Sequence, residues 1–273
     1  MKRFIVSLMV IVITTVCFSG CRKEPKATLY YASSGGTGTT LKGKSYESYF
    51  NSNSRVEAFA PKTISIEYFG MNLSAQYEEA VSNCRGTFRQ YHDQKNRARF
   101  RLDSKGHVVF FYCTDHSSLD NNNRDDCLKY AREYLSKLCD AGNFELCEET
   151  NLSSGFDFGF EYVCENVLIG FVSVATNQDG ELLLVTDRMQ NEIEFFKKHK
   201  EKLTPKLSHY CEIADSEIEK NLEGDWYIEK KIRYSLEVLK NGNVNFVATY
   251  TLAKDGNAFI DPTMAYVVIP VAT

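Results

Sequence analysis

Residues whose types could do chemistry are few in this 273-residue chain, and their spacing narrows them further. His92-Asp93 and Asp115-His116 are acid–histidine neighbours. A nucleophilic pair needs Cys or Ser brought beside the imidazole in space, which adjacency along a loop does not supply. Both are read as solvated surface. Cys113 lies near His116 in sequence, but it ends an apolar run and is read as core. Asp120-Asn121-Asn122-Asn123-Arg124-Asp125-Asp126 offers many oxygens. A calcium loop, however, needs Gly at its sixth position and Glu at its twelfth, where this chain has Asp125 and Ala131. A helix cap with an acidic first turn accounts for the same residues. Gly35-Gly36-Thr37-Gly38 follows no strand and opens no helix, so it cradles no phosphate. No cysteine pair has CxxC spacing, and no Cys/His cluster has zinc-ligand spacing. The sequence assigns no catalytic residue, no cofactor and no metal ligand. One side chain stands out by position: Cys21, at the end of an apolar run.

Lys2 and Arg3 supply a short positive region, and Phe4 to Phe18 carry no charge and no helix breaker. Small Ser19-Gly20 precede Cys21, with Arg22, Lys23 and Glu24 behind it. That order is a secretory signal. Small residues directly before a cysteine also resemble the lipobox of bacterial lipoprotein precursors, with Phe18 where that family usually has an aliphatic residue. The resemblance implies cleavage after residue 20 and acylation of the Cys21 thiol, palmitate-type chains then holding the protein on the extracytoplasmic side. Two alternatives stay open. The uncharged run approaches the roughly 18–20 residues that span a bilayer, and an ordinary secreted protein shares the same signal. Under each reading the body is exported.

Formal net charge is −4, and loss of Lys2 and Arg3 with the signal takes it to −6. Nucleic-acid binding demands concentrated Lys and Arg, so no nucleic-acid partner is expected. With Cys17 and Cys21 set aside, Cys84, Cys113, Cys127, Cys139, Cys147, Cys164 and Cys211 remain. An odd count leaves at least one thiol unpaired within the chain. Mostly buried free thiols are expected, with one to three disulfides as the alternative.

The elements behind these residues follow from periodicity. Residues 22–44 contain ASSGGTGTTLKG and read as a flexible tether. Residues 63–69 alternate as a strand. Tyr77, Ala80, Val81, Cys84, Phe88 and Tyr91 recur at helical spacing, predicting a helix over 74–91. Strands at 97–102 and 108–113 flank a Ser104-Lys105-Gly106 turn. Asn122 or Asn123 caps a helix to Cys139, and strands follow at 144–149, 156–164, 167–176 and 181–186. A short helix at 190–200 is broken at Thr204-Pro205, and another runs 208–222. Strands close the chain at 226–239, 244–252 and 265–271. Lys197, Lys198, Lys200, Lys202 and Lys206 read as a solvated helix face, contact with anionic lipid or cell wall being the alternative. Glu145, Glu148, Glu149, Asp157, Glu161 and Glu165 suit the wet face of a half-covered sheet or a basic partner. Phe156, Phe158, Phe160 and Tyr162 share one strand face and read as core.

These runs predict an α+β protein of tandem modules, each a helix packed on an antiparallel β-meander. The predicted division is a signal peptide (1–20), a lipid-anchored tether (21–44), a first α+β region (45–187) and a second module (188–273). The order of elements, and the segment IGFVSVATNQDGELLLVT as a closing hairpin, resemble cystatin-like and PepSY-like modules. That resemblance implies binding or restraint of other proteins. The expected function is therefore an exported, lipid-anchored, non-catalytic binding protein. Its expected partners are the membrane, through Cys21, and an envelope protein. The alternatives are an envelope hydrolase with an unrecognised Cys/His site and a small-ligand-binding lipoprotein.

Overall fold

The computed structural model describes residues 25–32, 44–45, 61–83, 86–114, 123–187, 189–222, 224–239, 241–254 and 263–271. Cys21, Cys84, His116 and the expected signal peptide lie outside them.

The strands are β1 (Thr28–Tyr31), β2 (Lys44–Ser45), β3 (Thr63–Tyr68), β4 (Met71–Asn83), β5 (Gly86–Asp93), β6 (Ala98–Leu102) and β7 (Val108–Cys113). Helix α1 (Arg124–Leu138) and a 3-10 turn (Ala141–Asn143) precede β8 (Glu145–Leu152), β9 (Gly155–Cys164), β10 (Val167–Thr176) and β11 (Leu182–Asp187). Helix α2 (Gln190–Asn221) leads into β12 (Trp226–Val238), β13 (Val244–Lys254) and β14 (Thr263–Pro270). All belong to one 14-stranded sheet, in the order β2-β1-β14-β13-β12-β10-β11-β7-β6-β5-β4-β3, with the β8–β9 hairpin attached to β10.

The tandem α+β architecture is thereby overturned: the protein is mostly β, with one mixed sheet and two α-helices among the described residues. The reason lies in β10. Along one edge it pairs antiparallel with β9. It also pairs in parallel with β12 at Val167↔Tyr234 and Leu168↔Ser235, and antiparallel with β11 from Val172 to Thr176. Strands on either side of the expected 187/188 boundary are therefore joined through one strand. A bulge after Leu168 makes Ile169 an extra residue opposite β9. Strict alternation would put Ile169 and Gly170 on opposite faces; the bulge lets both face the helices. Val167 and Ile169 pack with α2, and Val172 and Val174 pack with the cluster of α1. A Cβ on Gly170 would lie 2.7 Å from Ile193 Cγ1 of α2. Both helices thus cover the same face of the sheet.

Helix α1 follows expectation. Asn123 Oδ1 accepts from the Asp125 amide at 3.0 Å, satisfying one orphan donor of the first turn. Cys127, Ala131 and Leu135 face inward at helical spacing. Phe158 and Phe160 meet this cluster, while Tyr162 belongs to that of α2, so the aromatic row of β9 runs through both cores.

Three expectations need correction. The helix at 74–91 is a β-hairpin, β4 with β5. Leu73 and Ala75 alternate into the core, but a bulge between Tyr77 and Glu79 shifts the phase. The hairpin then pairs Tyr77 with Tyr91 and Val81 with Phe88, and the mixed spacing imitates a helical stripe. Next, α2 passes through Pro205 without a break. Proline deletes one backbone donor, but Leu203, Leu207, Tyr210, Ala214 and Ile218 bury a continuous apolar stripe across it. Each fully buried apolar side chain contributes roughly 1.5–3 kcal/mol, so the stripe outweighs the lost bond. Last, the expected tether contains β1, paired with β14 from Thr28↔Val268 to Tyr31↔Ala265. Its alternating Leu29 and Tyr31 are buried, a pattern too short to stand out beside the Gly/Ser run that follows.

Replacing Gly170 by Val places methyl groups where Ile193 and Phe144 already sit. Overpacking of this kind costs about 1–3 kcal/mol. Urea unfolding is expected to show that loss, and an unchanged midpoint would mean that α2 does not press on β10.

Candidate functional site

The seam where the two helical clusters meet is marked by a cleft of about 340 Å³ at the start of α2. Its apolar walls are Phe88 of β5, Val109 of β7, Phe195 of α2, and Val238 and Leu239 at the end of β12. Two tight turns shape its rim. In the first, Asp103 Oδ1 accepts from the amides of Lys105 (2.9 Å) and His107 (2.8 Å), which folds the β6–β7 connection back on itself. In the second, the Gly242 amide donates to Leu239 O at 2.8 Å with Gly242 at φ 82, a conformation that favours glycine. A second hollow of about 500 Å³ lies across this turn and shares Phe195, Leu239 and Gly242 with the first. Lys105 Nζ and Glu194 Oε2 form a 3.0 Å ion pair between one rim and α2.

Under the cleft the charge balance is acidic. Asp103, Asp187 and Glu192 are all more than nine-tenths buried. Glu192 Oε1 accepts from the Val238 amide at 3.0 Å, tying the first turn of α2 to the end of β12. Asp187 Oδ1 has no hydrogen-bond partner among the described residues. Burial pushes the Asp187 carboxyl up to about 7, the Met189 amide opposes this, and the charges of Glu192, Asp103 and Glu194 add to the rise. Asp187 also drives the buried Tyr68 phenol further up, beyond the effect of burial alone. The cleft therefore combines an apolar wall with the carboxyl groups of Asp103, Glu192 and Glu194, beside which Lys105 and Lys198 also line it. It suits a group with an apolar body and a positive head, such as an amine or guanidinium on an aliphatic stem.

A second polar cluster, between α2 and the sheet, is closed on itself. Asp215 of α2 accepts from Tyr250 OH (2.7 Å), from Tyr234 OH (2.8 Å) and from Lys231 Nζ. Burial alone would raise the Asp215 carboxyl, but the bonds from Lys231, Tyr250 and Tyr234 outweigh it and hold it below its ordinary value. Burial pushes the Tyr234 phenol up to about 12, and Tyr250 moves the same way. Every member has a partner, so the cluster fastens α2 to β12 and β13 and leaves no group to act on a ligand.

The residues singled out in the sequence fall as follows. His92 and Asp93 project to opposite sides of β5. His92 Nδ1 stands 3.4 Å from Glu78, while buried Asp93 accepts from Ser74 N (2.7 Å), Asn96 N (3.0 Å) and Asn96 Nδ2 (2.8 Å). Burial opposes ionisation of Asp93, yet these bonds hold its carboxyl below the usual value. The pair is thus a turn cap and a surface histidine. Cys113 is buried and directs its thiol to Asn96 O. Cys127, Cys139, Cys147, Cys164 and Cys211 are free thiols. Burial raises the thiols of Cys127, Cys139 (to about 12), Cys147 (to about 11) and Cys211 (to about 11), so they stay protonated at neutral pH. The other described histidines lie against Asp103 (His107), Phe195 (His199) and Glu212 (His209). Among the described residues no group of three or more His, Cys, Asp or Glu side chains is placed to share a metal ion. The acidic row divides between faces: Glu149 pairs with Arg124 of α1 at 2.6 Å, while Glu145 and Glu161 stand opposite each other in register. The lysines from Lys197 to Lys202 are exposed along the middle of α2. Sequence reasoning missed the cleft, because Phe88, Asp103, Phe195 and Leu239 come together only through the pairing of distant strands.

No family model matches the chain, and no curated protein matches it. Among solved structures, the Bacillus megaterium YpeB C-terminal domain is similar over 71% of this chain and 80% of that chain, at 11% identity and a TM-score of 0.34. A likeness of that size identifies neither fold nor function.

Asp187 makes stability depend on pH with a defined sign. Its folded value of about 7 lies above the ordinary 3.8, so between those values the folded chain holds a proton that the unfolded chain has lost. Stability is then full below about pH 4 and falls as pH rises to about 7, by up to about 4 kcal/mol. Denaturant titrations are expected to show Asp187→Asn more stable than the parent at pH 8 and no more stable at pH 4. Equal differences at both pH values would place Asp187 in a solvated setting.

Proposed function

We propose that this is an exported, lipid-anchored protein of the bacterial cell envelope that works by binding rather than by catalysis. The cleft at the start of α2 carries the reading. Its apolar walls, acidic floor and two flexibility-limiting turns form a receptor for a positively charged, partly apolar group of an envelope partner. The described histidines sit against carboxylates or a ring, and four thiols are held in the protonated state, which argues against a Cys/His nucleophile at those positions. Anchoring rests on the order Lys2-Arg3, the apolar run, Ser19-Gly20 and Cys21, with lipid on the Cys21 thiol as the attachment. A small ligand in place of a protein partner is the second reading, favoured by the cleft's volume of about 340 Å³.

Two measurements on protein from the native envelope test this. Intact mass is expected to show loss of residues 1–20 and an acyl adduct that Cys21→Ala abolishes; an unmodified full-length chain would contradict lipidation. Cross-linked pull-downs from the wild type are expected to yield a defined partner. Glu194→Lys with Phe195→Ala should reduce that recovery at least tenfold at an unchanged melting temperature. Equal recovery by the variant would remove the cleft from the interaction.

A further inference from the structure

Between α1 and the β8–β9 hairpin lies a groove of about 470 Å³. Leu135 of α1 and Phe160 of β9, both almost fully buried, line it together with Leu146 of β8. The 3-10 turn adds Ala141 and Gly142, and Phe144 follows them. That end is fixed in place: the Phe144 amide donates to Ala141 O (3.0 Å), the Asn143 amide to Asp140 O (3.2 Å) and Asn143 Nδ2 to Asp140 Oδ2 (2.9 Å). One cation, Arg132, joins these apolar walls. Arg124, Leu128 and Arg132 recur at four-residue spacing along α1. Arg124 is answered by Glu149 of β8 at 2.6 Å. Arg132, about two turns further on, shares the groove with Leu146 instead. It is exposed and has no hydrogen bond or ion pair with any described residue. The carboxylates of the flanking elements do not answer it. Glu149 is held by Arg124, and Asp140 by Asn143. Glu145 borders the groove, but its neighbour Leu146 pairs with Phe160 in the core beneath α1. Alternation therefore turns the Glu145 side chain to the opposite face, beside Glu161.

We propose that this groove binds a carboxylic acid on an apolar chain, a ligand of the fatty-acid class. The unpaired guanidinium of Arg132 presents a planar fork that matches a carboxylate with two parallel hydrogen bonds. Leu135, Leu146, Phe144 and Phe160 receive the hydrocarbon chain, whose burial drives binding. The same walls disfavour a peptide, whose amide groups would lose water and find few partners along them. The helix sets the direction of the ligand. The C-terminal end of α1 carries partial negative charge, which keeps the carboxylate away from the 3-10 turn and at Arg132. The chain then runs from Arg132 towards Phe144. The groove shares no lining residue with the cleft at the start of α2 and does not depend on what that cleft binds.

The test is calorimetric titration of the folded protein with octanoate at neutral pH. Acetate, 1-octanol and an apolar tripeptide with a free C-terminus serve as comparison probes. Octanoate is expected to bind at least tenfold more tightly than acetate, which lacks the chain, and than 1-octanol, which lacks the charge. Arg132→Gln and Leu146→Ala should each weaken octanoate at least tenfold. Arg132→Gln changes an exposed side chain without a partner, so it decides the matter if Leu146→Ala does not fold. Absence of octanoate binding, or equal binding by Arg132→Gln, overturns the proposal. Acetate or 1-octanol binding as tightly as octanoate overturns it too, since one half of the recognition would then be idle. A tripeptide that binds more tightly than octanoate and depends on Arg132 overturns the fatty-acid assignment in favour of a peptide terminus.

Discussion

The edge of β10 that serves two strands is the constraint from which the rest of the structure follows. Val167 and Leu168 give it to β12, and Val172 to Thr176 give it to β11. Both neighbours need the backbone donors and acceptors of that edge, since a buried backbone group without a partner is costly. The strand must therefore turn from one to the other within three residues. The bulge at Ile169 and the missing side chain at Gly170 provide that local turn, and they keep the helix-facing side apolar throughout. With the faces kept in phase, α1 and α2 lie on one side of a continuous sheet. The other side of the sheet stays uncovered by either helix.

The seam created in this way explains where charge is concentrated. Asp187 ends β11 and Glu192 opens α2, so both are carried to the junction by the elements they terminate. Glu192 receives the Val238 amide and becomes a tie between helix and sheet. Asp187 keeps an oxygen without a partner and resists ionisation through burial and its acidic neighbours. The Asp215 cluster differs in kind: a carboxylate enclosed by two phenols and an ammonium is satisfied and inert. A partly satisfied acidic floor beneath apolar walls has binding capacity that the closed cluster lacks.

Local signals were legible in the sequence, and long-range ones were not. Asn123 with Asp125 and Asp126 announced α1, and Asn177 to Gly180 announced the β10–β11 hairpin, because each is settled within a few residues. The aromatic row from Phe156 to Tyr162 was readable as core by alternation alone. Residues 74–91 misled because one bulge in β4 and one reversal near Gly86 gave strand residues a helical spacing. Pro205 misled because the rule that proline ends helices is local, whereas the stripe from Leu203 to Ile218 is held by the sheet beneath it. The union of the halves through Val167↔Tyr234 leaves no mark in either segment. The cleft draws on residues whose proximity depends on register.

The account rests on β10 making one cooperative body of two helix-covered regions. Differential scanning calorimetry of the folded chain tests this most directly. A single transition is expected, with calorimetric and van't Hoff enthalpies equal, because loss of either region exposes the shared strand and the cluster on its other half. Two separate transitions, or a calorimetric enthalpy near twice the van't Hoff value, would show that the regions unfold independently and that β10 does not bind them together.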